Sequence, residues 1–484
     1  MKRRIINKFL NVYWQFSLPL KVSVWFFFCS LLQKGLLFFT TPVFTRILST
    51  EDYGVISIFN SWENIISIFV TLGLSYSVQN VGLVKFSDDK NNYQSAMLGL
   101  LFTCTIFCSV VFVVFYDYLK SIIQLEEKYV FLMFIYCVFN TIMTMWSLRK
   151  RFEYHYKEMV CMTITHAMFS TILSIVLVIL MKDKAYAKVL GIGIVTVIIG
   201  GICCLDFVRN SKKIFNKLYW KFALKYNLPM IPHFLSTVVL GQLDRIMIKN
   251  MCGSSQAGIY SVAYSIANVI NILNSALHAS YNPWLLQRIK SKKYKGINTV
   301  VNVILLCYMM ILWITILFAP EILIIMAPLE YYEGIYVIPP VACSMFFMLI
   351  FNIISPLEQY SLKTKFIAVA SIGAAVANVG LNYICIQKFG YLAAGYTTLV
   401  CYILFAAAHY IYVKRICRND MNGIIIFDGK RIGLMCILVV GMAIFSALIY
   451  PYYIIRYALF IIILVILVVE RRKIFDIIVL LKDK

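Results

Sequence analysis

The chain has 484 residues, of which 61% are apolar, and a formal net charge of +23. The apolar content and a mean hydropathy of +0.82 exclude a soluble globular protein and predict a polytopic membrane protein. We expect no nucleic-acid partner, because the basic residues flank apolar spans, where membrane lipids with anionic headgroups attract them.

Fourteen apolar spans follow one another along the chain, most of them long enough to cross about 30 Å of hydrocarbon as a helix. They cover residues 22–44, 54–80, 95–116, 130–148, 161–181, 187–207, 228–249, 258–281, 299–326, 334–356, 365–386, 392–413, 432–450 and 452–469. Before the first span, apolar residues from Ile5 to Phe16 recur at helical spacing among polar ones. This pattern predicts a short helix lying in the inner membrane interface.

The basic residues orient these spans. The connecting segments, with the nearby span ends, are assigned alternately to the inside and the outside. On this assignment, 34 of the 45 Lys and Arg residues fall inside and 10 fall outside. The remaining residue, Lys34, lies within the first span. Cytoplasmic segments of membrane proteins carry such an excess. The pattern therefore predicts an all-α polytopic protein with about fourteen transmembrane helices and both termini in the cytoplasm.

A repeat connects the second span with the eighth. Residues 45–69 and 249–273 align at an offset of 204 with five identities, which are Gly54/Gly258, Ser57/Ser261, Ser61/Ser265, Asn64/Asn268 and Ile68/Ile272. Ser57, Ser61, Asn64 and Ile68 are separated by four, three and four residues. This spacing places their side chains on one stripe of a helix. Such a stripe is typical of close helix packing or of the wall of a polar cavity.

Because six spans separate the two copies, both have the same orientation, and we expect two six-helix bundles related by a parallel repeat. The predicted division is an N-terminal bundle at 1–208 with its interfacial helix, a basic cytoplasmic linker at 209–227, a C-terminal bundle at 228–416, and helices 13 and 14 with a basic tail at 417–484. Two such bundles could rock about a central cleft.

Two charged residues are predicted near the middle of the membrane. Lys34 and Glu63 lie about ten residues from the outer ends of the first two spans, which is about 14 Å deep in a helix. Ionisable residues at this depth are costly and tend to be functional. They either neutralise each other as a structural ion pair, or Lys34 binds an anionic substrate in the cleft while Glu63 adjusts its environment.

The seventh span carries a second polar cluster. Pro229, Pro232 and His233 lie at its inner end, and Asp244 and Arg245 lie near its outer end. The prolines are expected to bend the helix. Because Asp244 and Arg245 are adjacent, we expect them to point in different directions, so that only one faces the cleft; Arg245 could instead reach the outer headgroups.

Other polar and small residues have structural explanations. His166 and His278 lie singly in spans, where a hydrogen bond to a neighbouring helix is expected, and Glu358 borders the tenth span, where an interfacial position is expected. The fourteen Cys residues are expected to be free thiols. Helix packing is expected for the glycines of the sixth span, which are Gly191, Gly193, Gly200 and Gly201.

The sequence lacks the motifs of several enzyme classes. It contains no GxxxxGK motif followed by Ser or Thr, no HExxH or CxxC spacing and no GxSxG elbow. We therefore expect neither enzymatic activity nor a cofactor.

Four segments carry a resemblance to a known family, namely Leu31–Phe59, Leu72–Asn80, Leu228–Ile270 and Tyr281–Leu285. Together they resemble the polysaccharide transporter family of the multidrug/oligosaccharidyl-lipid/polysaccharide flippase superfamily, which includes bacterial flippases for O-antigen, capsule and exopolysaccharide repeat units. The resemblance extends over the first twelve spans, and the terminal hairpin is similar to that of the fourteen-span members.

The resemblance implies a flippase in the bacterial cytoplasmic membrane. Such a protein moves undecaprenyl-diphosphate-linked oligosaccharide from the inner to the outer leaflet by alternating access, for surface polysaccharide biosynthesis. It also implies polysaccharide polymerase and co-polymerase proteins as candidate partners, and H⁺ or Na⁺ exchange or the membrane potential as the energy source.

A water-lined, partly cationic cleft would accept the diphosphate and the glycan. Lys34 and Arg245 are the predicted diphosphate-binding cations, with Glu63 and Asp244 as their charge partners. The candidates for contact with the substrate also include Asn64 and Asn268, and the candidates for binding a coupling ion are Glu63, Asp244 and His233.

Two other functions remain as alternatives. An ion-coupled multidrug exporter of the same superfamily would favour an acidic cavity, whereas Lys34 and Arg245 would repel cationic drugs. A membrane glycan polymerase would carry a long outer loop with catalytic Arg or His, whereas all predicted outer segments are short.

Overall fold

The computed structural model describes residues 25, 29, 35, 39–75, 77–211, 213–361, 364–420, 423–424, 426–465 and 469. The predicted interfacial helix, most of the first span, Lys34 and the basic C-terminal tail lie outside the described residues. The side chain of His278 is likewise not described.

The described residues form helices and no strand, which confirms the all-α fold class. An apolar helix satisfies all its backbone hydrogen bonds internally, as a segment surrounded by hydrocarbon must. Among the described helices, nine are long and apolar enough to cross a membrane. The total of fourteen spans and the cytoplasmic placement of both termini stay predictions.

Contacts divide the described chain into two compact units. The first unit includes Ile58–Leu235, together with residues up to Thr40, and the second consists of Thr41–Ser57 and Ser236–Lys484. The chain crosses between the units three times, after residues 40, 57 and 235, and each crossing falls within helical residues. The division predicted from the spans, with a linker at 209–227, stays a prediction.

In the first unit, the described part of the chain forms eight helices from α1 (Thr50–Val70) onward. They are the C-terminal part of α1, α2 (Ser77–Lys85), α3 (Lys90–Val114), α4 (Tyr116–Ile123), α5 (Glu127–Phe152), α6 (Tyr156–Leu180), α7 (Lys184–Asn210) and α8 (Lys217–Asn227). The helix α9 (Ile231–Cys252) begins in this unit and continues into the second.

The second unit contains the start of α1, most of α9 and nine further helices. These are α10 (Ser254–Asn268), α11 (Ile270–Lys290), α12 (Ile297–Leu317), α13 (Ala319–Met326), α14 (Ile338–Tyr360), α15 (Thr364–Phe389), α16 (Ala393–Asp420), α17 (Gly429–Ile449) and α18 (Tyr453–Val465). The predicted eighth and ninth spans are therefore each divided into two helices.

The basic segment between the sixth and seventh spans contains the short helix α8. The side chain of Asn216 caps this helix by accepting hydrogen bonds from the backbone N–H groups of Leu218 and Tyr219. The Trp220 indole N–H donates to the carbonyl of Ala96 on α3 over 2.8 Å. These contacts attach the segment to the first unit.

The prolines of the seventh span begin the helix instead of bending its interior. Pro229 lies in a single 3₁₀ turn at Leu228–Met230, and Pro232 is the second residue of α9. Proline fits the first turn of a helix because the N–H group that it lacks has no intrahelical acceptor there.

The expectations for the sixth-span glycines, His166 and the cysteines are confirmed except at Gly201. A Cβ added at Gly191, Gly193 or Gly200 would overlap atoms of Ser174, Leu132 or Phe139, whereas one at Gly201 would meet open space. The expected helix-to-helix hydrogen bond of His166 joins its Nε2 to the hydroxyl of Thr196 on α7 over 3.0 Å. All fourteen cysteines are described and are free thiols.

Candidate functional site

The two copies of the repeat pack directly against each other in the second unit. A Cβ at Gly54 would overlap the carbonyl of Ser254, and a Cβ at Gly258 would overlap the carbonyl of Thr50. Gly54 and Gly258 are equivalent at the offset of 204, and so are Thr50 and Ser254. The contact is therefore reciprocal, as the contacts across a two-fold axis are.

A pair of equivalent serines marks this local axis. The Oγ atoms of Ser57 and Ser261 are hydrogen-bonded to each other over 2.5 Å, and both side chains are buried. Beside them, the hydroxyls of Thr50 and Ser255 share a hydrogen bond of 2.8 Å. The glycine and serine positions of the repeat thus serve close helix packing, which was one of the two explanations that the sequence left open.

The two asparagines of the repeat lie in different surroundings. Asn64 is half-buried and its side-chain N–H donates to the carbonyl of Asn60 on its own helix over 2.7 Å. Asn268 is exposed and is the last residue of α10. Their contact with a substrate stays a prediction.

Asp244 and Arg245 form a buried ion pair in the second unit. Their side chains are 2% and 9% exposed, and Nη1 of Arg245 lies 3.1 Å from Oδ1 of Asp244. The other carboxylate oxygen accepts a hydrogen bond from the hydroxyl of Tyr260. The guanidinium lies 4.2 Å from the ring centre of Tyr264, one turn further along α10, in a cation–π contact.

The expectation that Asp244 and Arg245 point in different directions is therefore wrong. The Asp244 carboxylate accepts the backbone N–H of Arg245 over 2.9 Å, which turns it toward its neighbour. The long Arg245 side chain folds back and also donates to the carbonyl of Gly241 over 2.7 Å. The two charges neutralise each other and fix the guanidinium between α9 and α10.

The other predicted site residues are placed within the first unit. Glu63 is half-buried, and its carboxylate lies 3.9 Å from the thiol sulfur of Cys137 on α5. His233 is half-buried beside the ring of Phe234, at 6.1 Å between ring centres. Because Lys34 is outside the described residues, its pairing with Glu63 stays a prediction.

A second buried acid–base pair lies in the second unit, where the sequence did not predict one. Glu358 on α14 and His409 on α16 are both 0% exposed, and His409 Nδ1 lies 2.9 Å from each oxygen of the Glu358 carboxylate. The rings of Phe351, Phe366 and Phe405 enclose the imidazole at 4.7, 5.3 and 4.5 Å between centres.

The interfacial position expected for Glu358 is therefore wrong. The predicted span ended at residue 356, but α14 continues to Tyr360 and α16 packs along it. A histidine at the matching end of the twelfth span was the available signal, since a carboxylate at the end of a buried helix needs a hydrogen-bonding partner.

Residues 20–289 match the family described as polysaccharide biosynthesis protein. The match covers more than half of the 484 residues. The chain belongs to this family. An Lsg locus protein of Haemophilus influenzae is 23% identical over 287 residues, which are 56% of this chain and 67% of that protein.

Solved structures show which fold this family member has. The lipid II flippase MurJ in an inward closed conformation matches with a TM-score of 0.63 at 15% identity, over 94% of this chain and 100% of that one. A multidrug resistance MATE family transporter of the MOP superfamily, in an inward-facing conformation, also matches with a TM-score of 0.63, at 13% identity, over 81% of this chain and 96% of that one. The chain thus has the fold of this superfamily, which confirms the resemblance identified from the sequence.

Proposed function

We propose that this polysaccharide biosynthesis family member is a flippase for undecaprenyl-diphosphate-linked oligosaccharide repeat units. It moves them from the inner to the outer leaflet of the bacterial cytoplasmic membrane by alternating access, and the units are then used for surface polysaccharide biosynthesis. The observation that carries the proposal is the family match over residues 20–289 on a chain that has a transporter fold.

The family description, polysaccharide biosynthesis protein, favours a flippase over a drug exporter. The match to the lipid II flippase covers 94% of this chain, whereas the match to the MATE transporter covers 81%. Lipid II is itself a lipid-linked saccharide, so the substrate proposed here belongs to the same chemical class. The polar glycan and the anionic diphosphate need a polar route, whereas the lipid tail can stay in the hydrocarbon.

The proposed substrate contacts use the charges that the sequence identified. Lys34 and Arg245 would bind the diphosphate, and Glu63 and Asp244 would balance their charge. Arg245 is already held by Asp244 and Tyr264, so its guanidinium is oriented before any substrate arrives. In this scheme Asn64 and Asn268 donate hydrogen bonds to the glycan.

The proposed energy source is a coupling ion, for which Glu63, Asp244 and His233 are the candidate sites. A cation at Asp244 would compete with Arg245 and Tyr260, which already occupy both carboxylate oxygens. The membrane potential could also drive the cycle, because it supplies about 2.3 kcal/mol for each charge moved through 100 mV.

Deleting the gene and analysing lipid-linked sugars by mass spectrometry tests this function. We expect surface polysaccharide to disappear while complete undecaprenyl-linked repeat units accumulate, and a plasmid copy to reverse both effects. Accumulation of single repeat units on the outer face would indicate a defect in polymerisation. Unchanged surface glycan with greater sensitivity to cationic drugs would contradict the proposal and favour an exporter.

A further inference from the structure

A cavity of about 850 Å³ lies in the second unit where α16 ends and α17 begins. Its volume is within the range of about 300–1,000 Å³ that is typical of small-molecule sites. Its basic wall consists of Lys414 and Arg418 on α16 and Lys430 on α17. Its apolar wall includes Val413, Ile426 and Phe427, which are buried.

The basic wall has no carboxylate to neutralise it among the described residues. Lys414, Arg418 and Lys430 are exposed and form no ion pair with any described acid. Among the described residues that line the cavity, Asp428 is the acidic one; it lies 3.2 Å from Arg431 and is neutralised there. The cavity therefore has a net positive charge of about three and favours an anion.

The helix N-terminus beside the cavity contributes little to this preference. The Asp428 side chain accepts hydrogen bonds from the backbone N–H groups of Lys430 and Arg431, so the first turn of α17 is already capped. An anion in the cavity would be bound by the three side-chain cations.

Hydrogen bonds hold two described residues between the helices, Gly423 and Asp428. The backbone N–H of Asp428 donates to the side-chain oxygen of Asn298 on α12 over 2.8 Å. The backbone N–H of Gly423 donates to the carbonyl of Cys417 over 3.0 Å, and Gly423 adopts a positive φ of 76° that suits glycine.

The division into one apolar and one basic wall matches the chemistry of a lipid. The part of α16 before Lys414 contains no Lys, Arg, Asp or Glu, and basic residues follow at Lys414, Arg415 and Arg418, a change typical of the level of lipid headgroups. We propose that this cavity binds the headgroup of an anionic diacyl phospholipid, with the phosphate on Lys414, Arg418 and Lys430 and the first methylene groups against the apolar wall.

Binding of phosphatidylglycerol to the purified full-length protein, followed by native mass spectrometry in mild detergent, tests this site. Phosphatidylethanolamine serves as the zwitterionic competitor. We expect phosphatidylglycerol to be retained in preference, and the triple variant Lys414→Gln/Arg418→Gln/Lys430→Gln to bind it roughly a hundredfold more weakly, at roughly fivefold for each cation removed.

The matched control removes three charges from another loop of the same unit, as Lys290→Gln/Lys293→Gln/Lys295→Gln, none of which lines the cavity. It should bind phosphatidylglycerol like the unmodified protein. If the triple cavity variant is not monodisperse, Arg418→Gln alone is used, and its expected loss is roughly fivefold.

Three results would overturn the site. Equal phosphatidylglycerol binding by the unmodified protein and the cavity variant would show that the cavity is not the binding site. An equal loss of binding in the control variant would show that the lipid is bound by general surface charge. Displacement of the lipid by millimolar inorganic phosphate would show that a soluble phosphate compound is the ligand. None of these results depends on the proposed flippase function.

Discussion

Two buried carboxylates of the second unit, Asp244 and Glu358, have compensating partners close by. Asp244 is paired with Arg245 and Tyr260, and Glu358 is paired with His409. A charge removed from water needs such partners, because the cost of leaving it unpaired is several kcal/mol. At the residue scale, loss of one partner of either pair is therefore expected to destabilise the second unit, independently of any role in transport.

Replacing Arg245 with alanine should destabilise the protein strongly. The buried Asp244 carboxylate would keep only the hydroxyl of Tyr260 and the backbone N–H of residue 245 as partners and no opposite charge, and breaking a buried pair in this way costs about 3–5 kcal/mol. Thermal unfolding in detergent measures the effect. The double variant Asp244→Asn/Arg245→Gln carries neither charge and should recover most of the loss, and an unchanged midpoint for Arg245→Ala would contradict the buried pair.

Glu358 should tolerate glutamine better than alanine. Glutamine keeps an oxygen that can accept the N–H of His409, whereas alanine leaves the enclosed imidazole unpaired at a cost of about 1–3 kcal/mol. Comparison of the two unfolding midpoints measures this difference. Equal midpoints for Glu358→Gln and Glu358→Ala would show that the 2.9 Å contact contributes no stability.

At the element scale, the sequence predicted which segments are helical but not where each helix ends. The apolar stretch at 258–281 was predicted as one span, whereas α10 ends at Asn268 and α11 begins at Ile270. Apolar periodicity does not report such a break, because the composition is the same on both sides. The repeat was more informative about helix contacts, since its glycines and serines are residues at which α1 and α10 touch.

Alanine at Gly54 or Gly258 should separate α1 from α10. The added methyl group would overlap a backbone carbonyl, which cannot move aside as a flexible side chain can. We expect a loss of about 1–3 kcal/mol at either position, which is typical of overpacking, measured by thermal unfolding. Gly380 on α15 is the matched control, because its Cβ would meet open space; Gly380→Ala should be neutral or stabilising by up to about 1 kcal/mol. Equal effects at all three positions would contradict the proposed contact.

The connection between α5 and α6 should weaken in acid. Glu153 lies 2.7 Å from Lys90 and 3.2 Å from Arg149. Burial alone would raise its pKa, but these two cations outweigh burial and hold the pKa below its ordinary value of 4.5. The resulting stabilisation is complete above pH 4.5 and is lost as the pH falls through the lowered folded-state pKa.

Glu153→Gln tests this dependence, since it removes the titrating group and keeps the size of the side chain. Thermal unfolding between pH 3 and pH 7 should show a smaller decline for the variant than for the unmodified protein. Parallel curves would mean that other carboxylates account for the acid sensitivity.

At the scale of the whole molecule, sequence patterns that involve many residues were the most reliable. Apolar spans predicted the helical fold, and four short segments indicated the family that the match over residues 20–289 then showed. Pairings between distant residues, such as Glu358 with His409, could not be predicted because helical periodicity does not say which faces meet. The roles of Lys34, Arg245 and Glu63 in transport stay predictions, since they concern a substrate-bound state.

Translocation by the purified protein in vesicles tests the central claim most directly. Undecaprenyl-diphosphate-linked oligosaccharide is placed in both leaflets, and its accessibility to a membrane-impermeant glycan-modifying enzyme is measured, with protein-free vesicles as the control. The account predicts that the inner-leaflet oligosaccharide becomes accessible only with the protein, whereas a cationic dye is not transported. Oligosaccharide that stays confined while the dye crosses would contradict it.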